Sequence, residues 1–365
     1  MRKRSWYIFF FLLIAALGAA LAQSSDAKAK PKKEPSVKAY LLVGDVYYSS
    51  GEYDAALIAF RRALEKEPNN AYALYGLGRT QLRLLQFSSA IENIKRAIAL
   101  DSNYAPAYVS LAQAYTNRYT YAEDKDAAKS YLQQALLILD DAKRVDANYY
   151  PIYNQRGLVY QYLGDLKKAE QAFKQALKLG SKDSVVRYNL AQVYLSQGRL
   201  DEALAMLQEG VKIDPSSAQL QLLLGKVLAV KGKLPEAETA LSKASALEPL
   251  NAGSWLYLGQ VYFLEKKYKD AEKALQKSIE LDPLSFPESY YYLGRVHLAE
   301  GKSDAAASDF SKAVKLSERN ADYHYWLGKS LLAQNKREEA KAEFEKALKL
   351  APNFEAAKKE LSSFK

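Results

Sequence analysis

Cysteine is absent from this 365-residue sequence. That excludes disulfides and thiolate metal sites and suits an oxidising, extracytoplasmic compartment. Histidine occurs only at His297 and His324, each where sister segments hold Tyr, so both read as packed core residues rather than ligands or bases. No H-E-x-x-H, G-x-S-x-G or phosphate-loop motif is present. Gly76-Leu77-Gly78 is a lone G-x-G on an expected helix, and Glu338-Glu339 lie side by side on a charged face. No enzyme, cofactor or metal is therefore expected. Strand-like alternation between turn signals is missing, so the chain should be nearly all helix. After residue 22 no stretch approaches a membrane span. A strong charge bias is missing too. The chain carries +10 overall but only about +5 over residues 37–365, which with export argues against nucleic acid.

The first 22 residues read as an export signal. Arg2, Lys3 and Arg4 precede an uncharged run of 17 residues, and Ala20-Leu21-Ala22 before Gln23 has the small-x-small form of a cleavage site. The expected cut lies between Ala22 and Gln23, with an uncleaved anchor over residues 6–22 as the alternative. No Cys follows, which excludes lipid attachment of the lipoprotein type. Residues 23–36 lack large apolar side chains and carry Lys and Pro, as a disordered tether does.

From residue 37 the chain falls into nine units spaced by 34, starting at Val37, Ala71, Ala105, Tyr150, Ser184, Ala218, Ala252, Pro287 and Ala321. The third carries 11 extra residues and the seventh one. Position 8 of each unit is Gly or Ala, position 20 is Ala in all nine, and position 24 is large and apolar. Small residues on two helices let their backbones approach, and a large one there would overpack. Position 15 holds Gly51, Gly164, Gly198, Gly232, Gly301 or Asn335, residues that tolerate positive φ. Leu85 and Lys266 depart from this, so those turns are expected to be built differently. Arg156 stands where the pattern wants Leu. In the third unit the spacing of Ala128, Leu132, Ala135 and Leu139 predicts an early start of the second helix, with Tyr119, Tyr121, Glu123 and Asp124 on a projecting loop.

Trp255-x-x-Leu258-Gly259-x-x-Tyr262, then Ala271, Leu275 and Pro283, resembles the tetratricopeptide repeat, a 34-residue helix-turn-helix unit. The resemblance covers residues 37–354. It implies an all-α, right-handed superhelical solenoid of nine units, with residues 355–365 as a capping helix. In that family, positions 2, 5, 9, 12 and 13 of the first helix line a concave face and contact ligands. Carried onto this chain they are Tyr72; Tyr75, Asn154, Tyr188, Tyr291 and Tyr325; Arg79, Gln113, Gln192, Lys226, Gln260, Arg295 and Lys329; Phe263; and Arg83, Asn117 and Tyr162. Aromatic faces beside cations suit an extended, acidic peptide segment. The chaperone-type carboxylate clamp, Lys at position 5 with Asn at position 9, is missing. The expected role is a protein-binding scaffold of the envelope or secretory pathway. The alternative is a polysaccharide-binding export accessory whose aromatics stack on sugar rings. Membrane contact is expected only through an uncleaved N-terminus, and nothing sets the oligomeric state.

Overall fold

Each unit is a pair of helices held by contact between positions 8, 20 and 24. All nine position-20 alanines and all nine position-24 residues, Phe60 to Phe344, are fully buried. A Cβ added to Gly44, Gly157, Gly294 or Gly328 would sit 2.8, 2.5, 2.9 or 2.7 Å from the ring of Phe60, Phe173, Phe310 or Phe344. Glycine at position 8 thus makes room for a large side chain at position 24, phenylalanine in these four units and Ile94, Leu241 or Leu275 opposite Gly78, Gly225 or Gly259. The two units with Ala112 and Ala191 carry Leu139 and Leu207 there instead.

The computed structural model describes residues 34–180 and 182–364. The expected signal and most of the expected tether lie outside them. Among the described residues every element is a helix. They divide into two compact units. The first holds four pairs: α1 (Val37–Ser50) with α2 (Tyr53–Lys66), α3 (Ala71–Arg83) with α4 (Phe87–Leu100), α5 (Ala105–Thr120) with α6 (Lys125–Val145), and α7 (Tyr150–Tyr162) with α8 (Leu166–Lys178). The second holds five pairs: α9 (Ser184–Ser196) with α10 (Leu200–Ile213), α11 (Ala218–Val230) with α12 (Leu234–Leu247), α13 (Ala252–Leu264) with α14 (Tyr268–Leu281), α15 (Pro287–Ala299) with α16 (Ser303–Leu316), and α17 (Ala321–Ala333) with α18 (Arg337–Leu350). The short α19 (Glu355–Ser362) follows. No described helix is long and apolar enough to cross a membrane.

The two helices of a pair begin differently. Six of the nine first helices start on a side-chain cap, and α5, α7 and α15, which carry Pro in the first turn, do not. Ser36, Asn70, Asp183, Ser217, Asn251 and Asn320 each accept from an amide in the first turn, filling a vacant helix-end donor. Ser36 and Glu34, whose carboxylate is 2.6 Å from the Lys66 ammonium, tie residues 34–36 to the first pair. Eight of the nine second helices start after a left-handed residue, and α6 starts instead on the Asp124 side chain. Leu85 and Lys266 correct the expectation that their turns differ. Both take φ near +60° and make the same closing bond as Gly51, with the next amide donating to the carbonyl five residues back. A side chain in this conformation costs about 1–2 kcal/mol that glycine avoids.

Three other expectations resolve on packing. The insertion lengthens both helices of its pair: α5 has 16 residues and α6 has 21. Tyr119 therefore lies on α5, and the loop is only residues 121–124. Arg156 pairs across to Asp140 on α6 and meets the Tyr160 hydroxyl at 3.3 Å. The histidines are buried: His297 Nδ1 is 2.7 Å from Asp309, and His324 Nδ1 is 2.6 Å from Glu343. Burial pushes the Asp309 carboxyl up from its ordinary value, against the lowering effect of His297.

Candidate functional site

In the first unit, α3 carries Tyr75, Arg79 and Arg83 along one face, and α5 carries Gln113 and Asn117 along the facing one. With Tyr48 of α1 and Tyr53 of α2 they line a hollow of about 440 Å³. Arg79 is held in place. Its Nη2 pairs with Asp45, and its guanidinium lies 4.3 Å from the Tyr48 ring centre and 5.3 Å from that of Tyr75. Arg83 is oriented but not neutralised. Its Nε donates to the Tyr53 hydroxyl at 3.0 Å, and no carboxylate among the described residues pairs with it. The side-chain amides of Gln113 and Asn117 have no partner among the described residues and face the hollow.

Two residues expected to be open in the groove are engaged elsewhere, and Tyr72 does not line the hollow. Tyr75 is buried, edge-on to Tyr104 with ring centres 5.0 Å apart. The Tyr72 hydroxyl donates to Asp45 at 3.0 Å. Asn154 is half-buried on α7, and the exposed Tyr162 lies 5.7 Å from Tyr119; neither lines this hollow.

The second unit treats its position-9 residues differently. Each of the last four reaches position 6 of the following helix. Lys226 stands 4.2 Å over the Tyr257 ring, and Gln260 donates to the Tyr292 hydroxyl at 2.9 Å. The Arg295 guanidinium lies 3.9 Å from Trp326, and Lys329 pairs with Glu360 of α19 at 2.6 Å. Arg295 also touches Phe263 at 4.9 Å and donates to the Tyr291 hydroxyl at 2.8 Å. Tyr325 lies against Phe354, ring centres 5.0 Å apart. These residues were expected to be open to a ligand, and most are engaged in joining repeats. Lys226, Tyr257 and Gln260 still line a hollow of about 170 Å³. Tyr188 and Gln192 are half-buried on α9 and take no part in the joints.

Burial pushes the phenols of Tyr48, Tyr72, Tyr291 and Tyr292 up from their ordinary value, over the lowering effect of the nearby arginines. They therefore stay protonated at neutral pH, presenting hydroxyl donors and ring faces rather than bases. Among the described residues no cluster of His, Asp and Glu is placed to hold a metal.

Sequence reasoning missed Asp45, Tyr257, Tyr292, Trp326 and Glu360. The signal was available: Asp45 is at position 9 of its unit, and the other four occupy position 6 of theirs, counting from Glu355 for the last.

Comparison with known proteins agrees with the paired-helix repeat fold. Tetratricopeptide repeat models match residues 162–227, 222–286 and 321–354, and a TPR repeat model matches 44–84 and 294–335. A thermophilic TPR protein of Thermus thermophilus is 43% identical, with TM-score 0.51, over 53% of this chain and all of its own. The APC/C hetero-tetramer Cut9–Hcn1 aligns over 90% of this chain and 89% of its own with TM-score 0.53 at 15% identity, a likeness of fold alone. BBSome complex member BBS4 of Xenopus tropicalis is 34% identical over 124 residues, 33% of this chain and 23% of that protein. The chain spans less than a third of the length of the curated relatives it matches.

Proposed function

Because the chain belongs to the tetratricopeptide repeat family, we propose that it is a non-catalytic scaffold holding an extended segment of a protein partner in the hollow between α1, α3 and α5. The carrying observation is the set Arg83, Gln113 and Asn117, a cation and two amides that face solvent without a carboxylate or amide partner among the described residues. A peptide backbone and a carboxylate supply the missing acceptors and donors, and Tyr48 and Tyr53 add rigid contact area. A relative named as a complex member supports partner binding. Replacing Arg83, Gln113 and Asn117 together with Ala should leave the fold intact, since none is in the core. It should weaken a cross-linked partner by about 1–3 kcal/mol. Unchanged affinity in the folded triple variant moves binding to another surface.

A second reading, a polysaccharide-binding accessory, draws on the exposed rings of Tyr121 and Tyr162. A glycan array beside a peptide array separates the two.

We also propose that the protein is exported to the envelope or beyond. The basic start, uncharged core and Ala20-Leu21-Ala22 junction support this. N-terminal sequencing from the source cell should begin at Gln23. An intact Met1 in the membrane fraction assigns the anchor instead.

A further inference from the structure

The insertion in the third repeat bears on the same hollow. Its loop places Tyr121 5.3 Å from Phe87, ring centre to ring centre, at the start of α4. Beside them stands Leu85, which occupies with positive φ the turn position that five sister repeats give to glycine. Leu85 and Tyr121 are 53% and 63% exposed, so the turn and the insertion together present apolar side chains to water.

These two residues line the hollow already described. They also line a second one, of about 490 Å³, whose other walls include Ser88, Ser89, Arg118 and Tyr131. The two hollows are therefore neighbours sharing an apolar ridge. Arg83 belongs to the first. Arg118 belongs to the second, its guanidinium 4.5 Å from the Tyr131 ring centre with no carboxylate partner among the described residues. Neither hollow has an acidic residue in its lining. A ridge of Leu, Phe and Tyr with an uncompensated arginine on each side calls for a complementary pattern, an apolar anchor between carboxylates.

We propose that the insertion-built ridge Leu85–Phe87–Tyr121 extends the peptide site into the second hollow and selects a protein segment with an apolar side chain flanked by acidic residues on both sides. This rests on the peptide-binding reading of the first hollow. The insertion then acts as a specificity element, because without Tyr121 the ridge loses its outer face and the second hollow a wall.

The test uses the full chain and short fluorescein-labelled synthetic peptides read by anisotropy. One peptide has Leu or Phe between Glu pairs, one replaces each Glu by Gln, and one replaces the apolar centre by Ser. The acidic–apolar peptide should bind, the other two should bind far more weakly, and its Kd should rise with salt. Tyr121→Ser and Arg118→Gln should each weaken it by about tenfold, with an unchanged melting curve. Arg83→Gln should weaken it too. If Arg83→Gln weakens binding while Tyr121→Ser and Arg118→Gln do not, the extension is wrong and the first hollow stands alone. If none of the three shifts binding, or no peptide binds, both readings fall. If heparin or an RNA oligonucleotide competes as well as the peptide and is sensitive to the same variants, the surface binds anions in general and the protein-segment assignment is overturned.

Discussion

Phe310→Ala should destabilise the second unit by about 3–5 kcal/mol, the range for emptying a large aromatic site that cannot collapse. Phe310 is fully buried on α16, against Gly294 of its own pair, and its ring centre lies 6.0 Å from Tyr291 and 6.3 Å from Trp326. Gly294 has no side chain to move into the void. The cavity also undercuts two of the rings that enclose Arg295. In a stack of repeats each pair contacts mainly its neighbours, so the damage should be local. Hydrogen exchange should show lost protection in α15, α16 and α17, with α1 to α8 unchanged. Equal loss of protection across both units would contradict the nearest-neighbour picture.

The second large effect tests the glycine–phenylalanine pairing. Gly157→Ala would put a methyl group 2.5 Å from the Phe173 ring, a contact real side chains do not make. Both groups sit on helix backbones that close packing holds together, so the expected cost is about 1–3 kcal/mol. The chain supplies the remedy. Where position 8 is Ala, at Ala112 and Ala191, position 24 is Leu. Leu also faces Gly225 and Gly259 closely, so adding Phe173→Leu to Gly157→Ala should recover part of the loss, a coupling of about 0.5–3 kcal/mol in a double-mutant cycle from urea melts. Strictly additive losses would mean that the two positions do not read each other.

Much of the fold was legible because its determinants recur. Small residues at positions 8 and 20 and a large one at position 24 depend only on distances within one repeat, and the nine copies average out local exceptions. Leu85 and Lys266 escaped that reading because the closing hydrogen bond of the turn outweighs the side-chain strain. The site was less legible for a different reason. Whether a position-9 cation is open depends on the residue presented by the next repeat. Lys226 finds Tyr257 and Arg295 finds Trp326. The repeat after Arg79 offers only Ser110 at that place, and Arg79 turns back to Asp45 and the neighbouring rings. Arg83, Gln113 and Asn117 were recoverable from position alone. The ridge at Tyr121 was not, because the insertion divides between two helices and only four residues remain as loop.

The contact between Lys329 and Glu360 repeats, on α19, the joint that links the preceding repeats. Tyr325 and Phe344 consequently lie beneath Phe354 and Phe364 in the way an interior repeat is covered. What faces outward is the back of α19, with Lys358 and Lys359 exposed and Lys358 paired to Glu355 at 2.7 Å. α19 thus shields the rings of Tyr325 and Phe344 from water, and peeling it away would open the apolar face of α17 and α18.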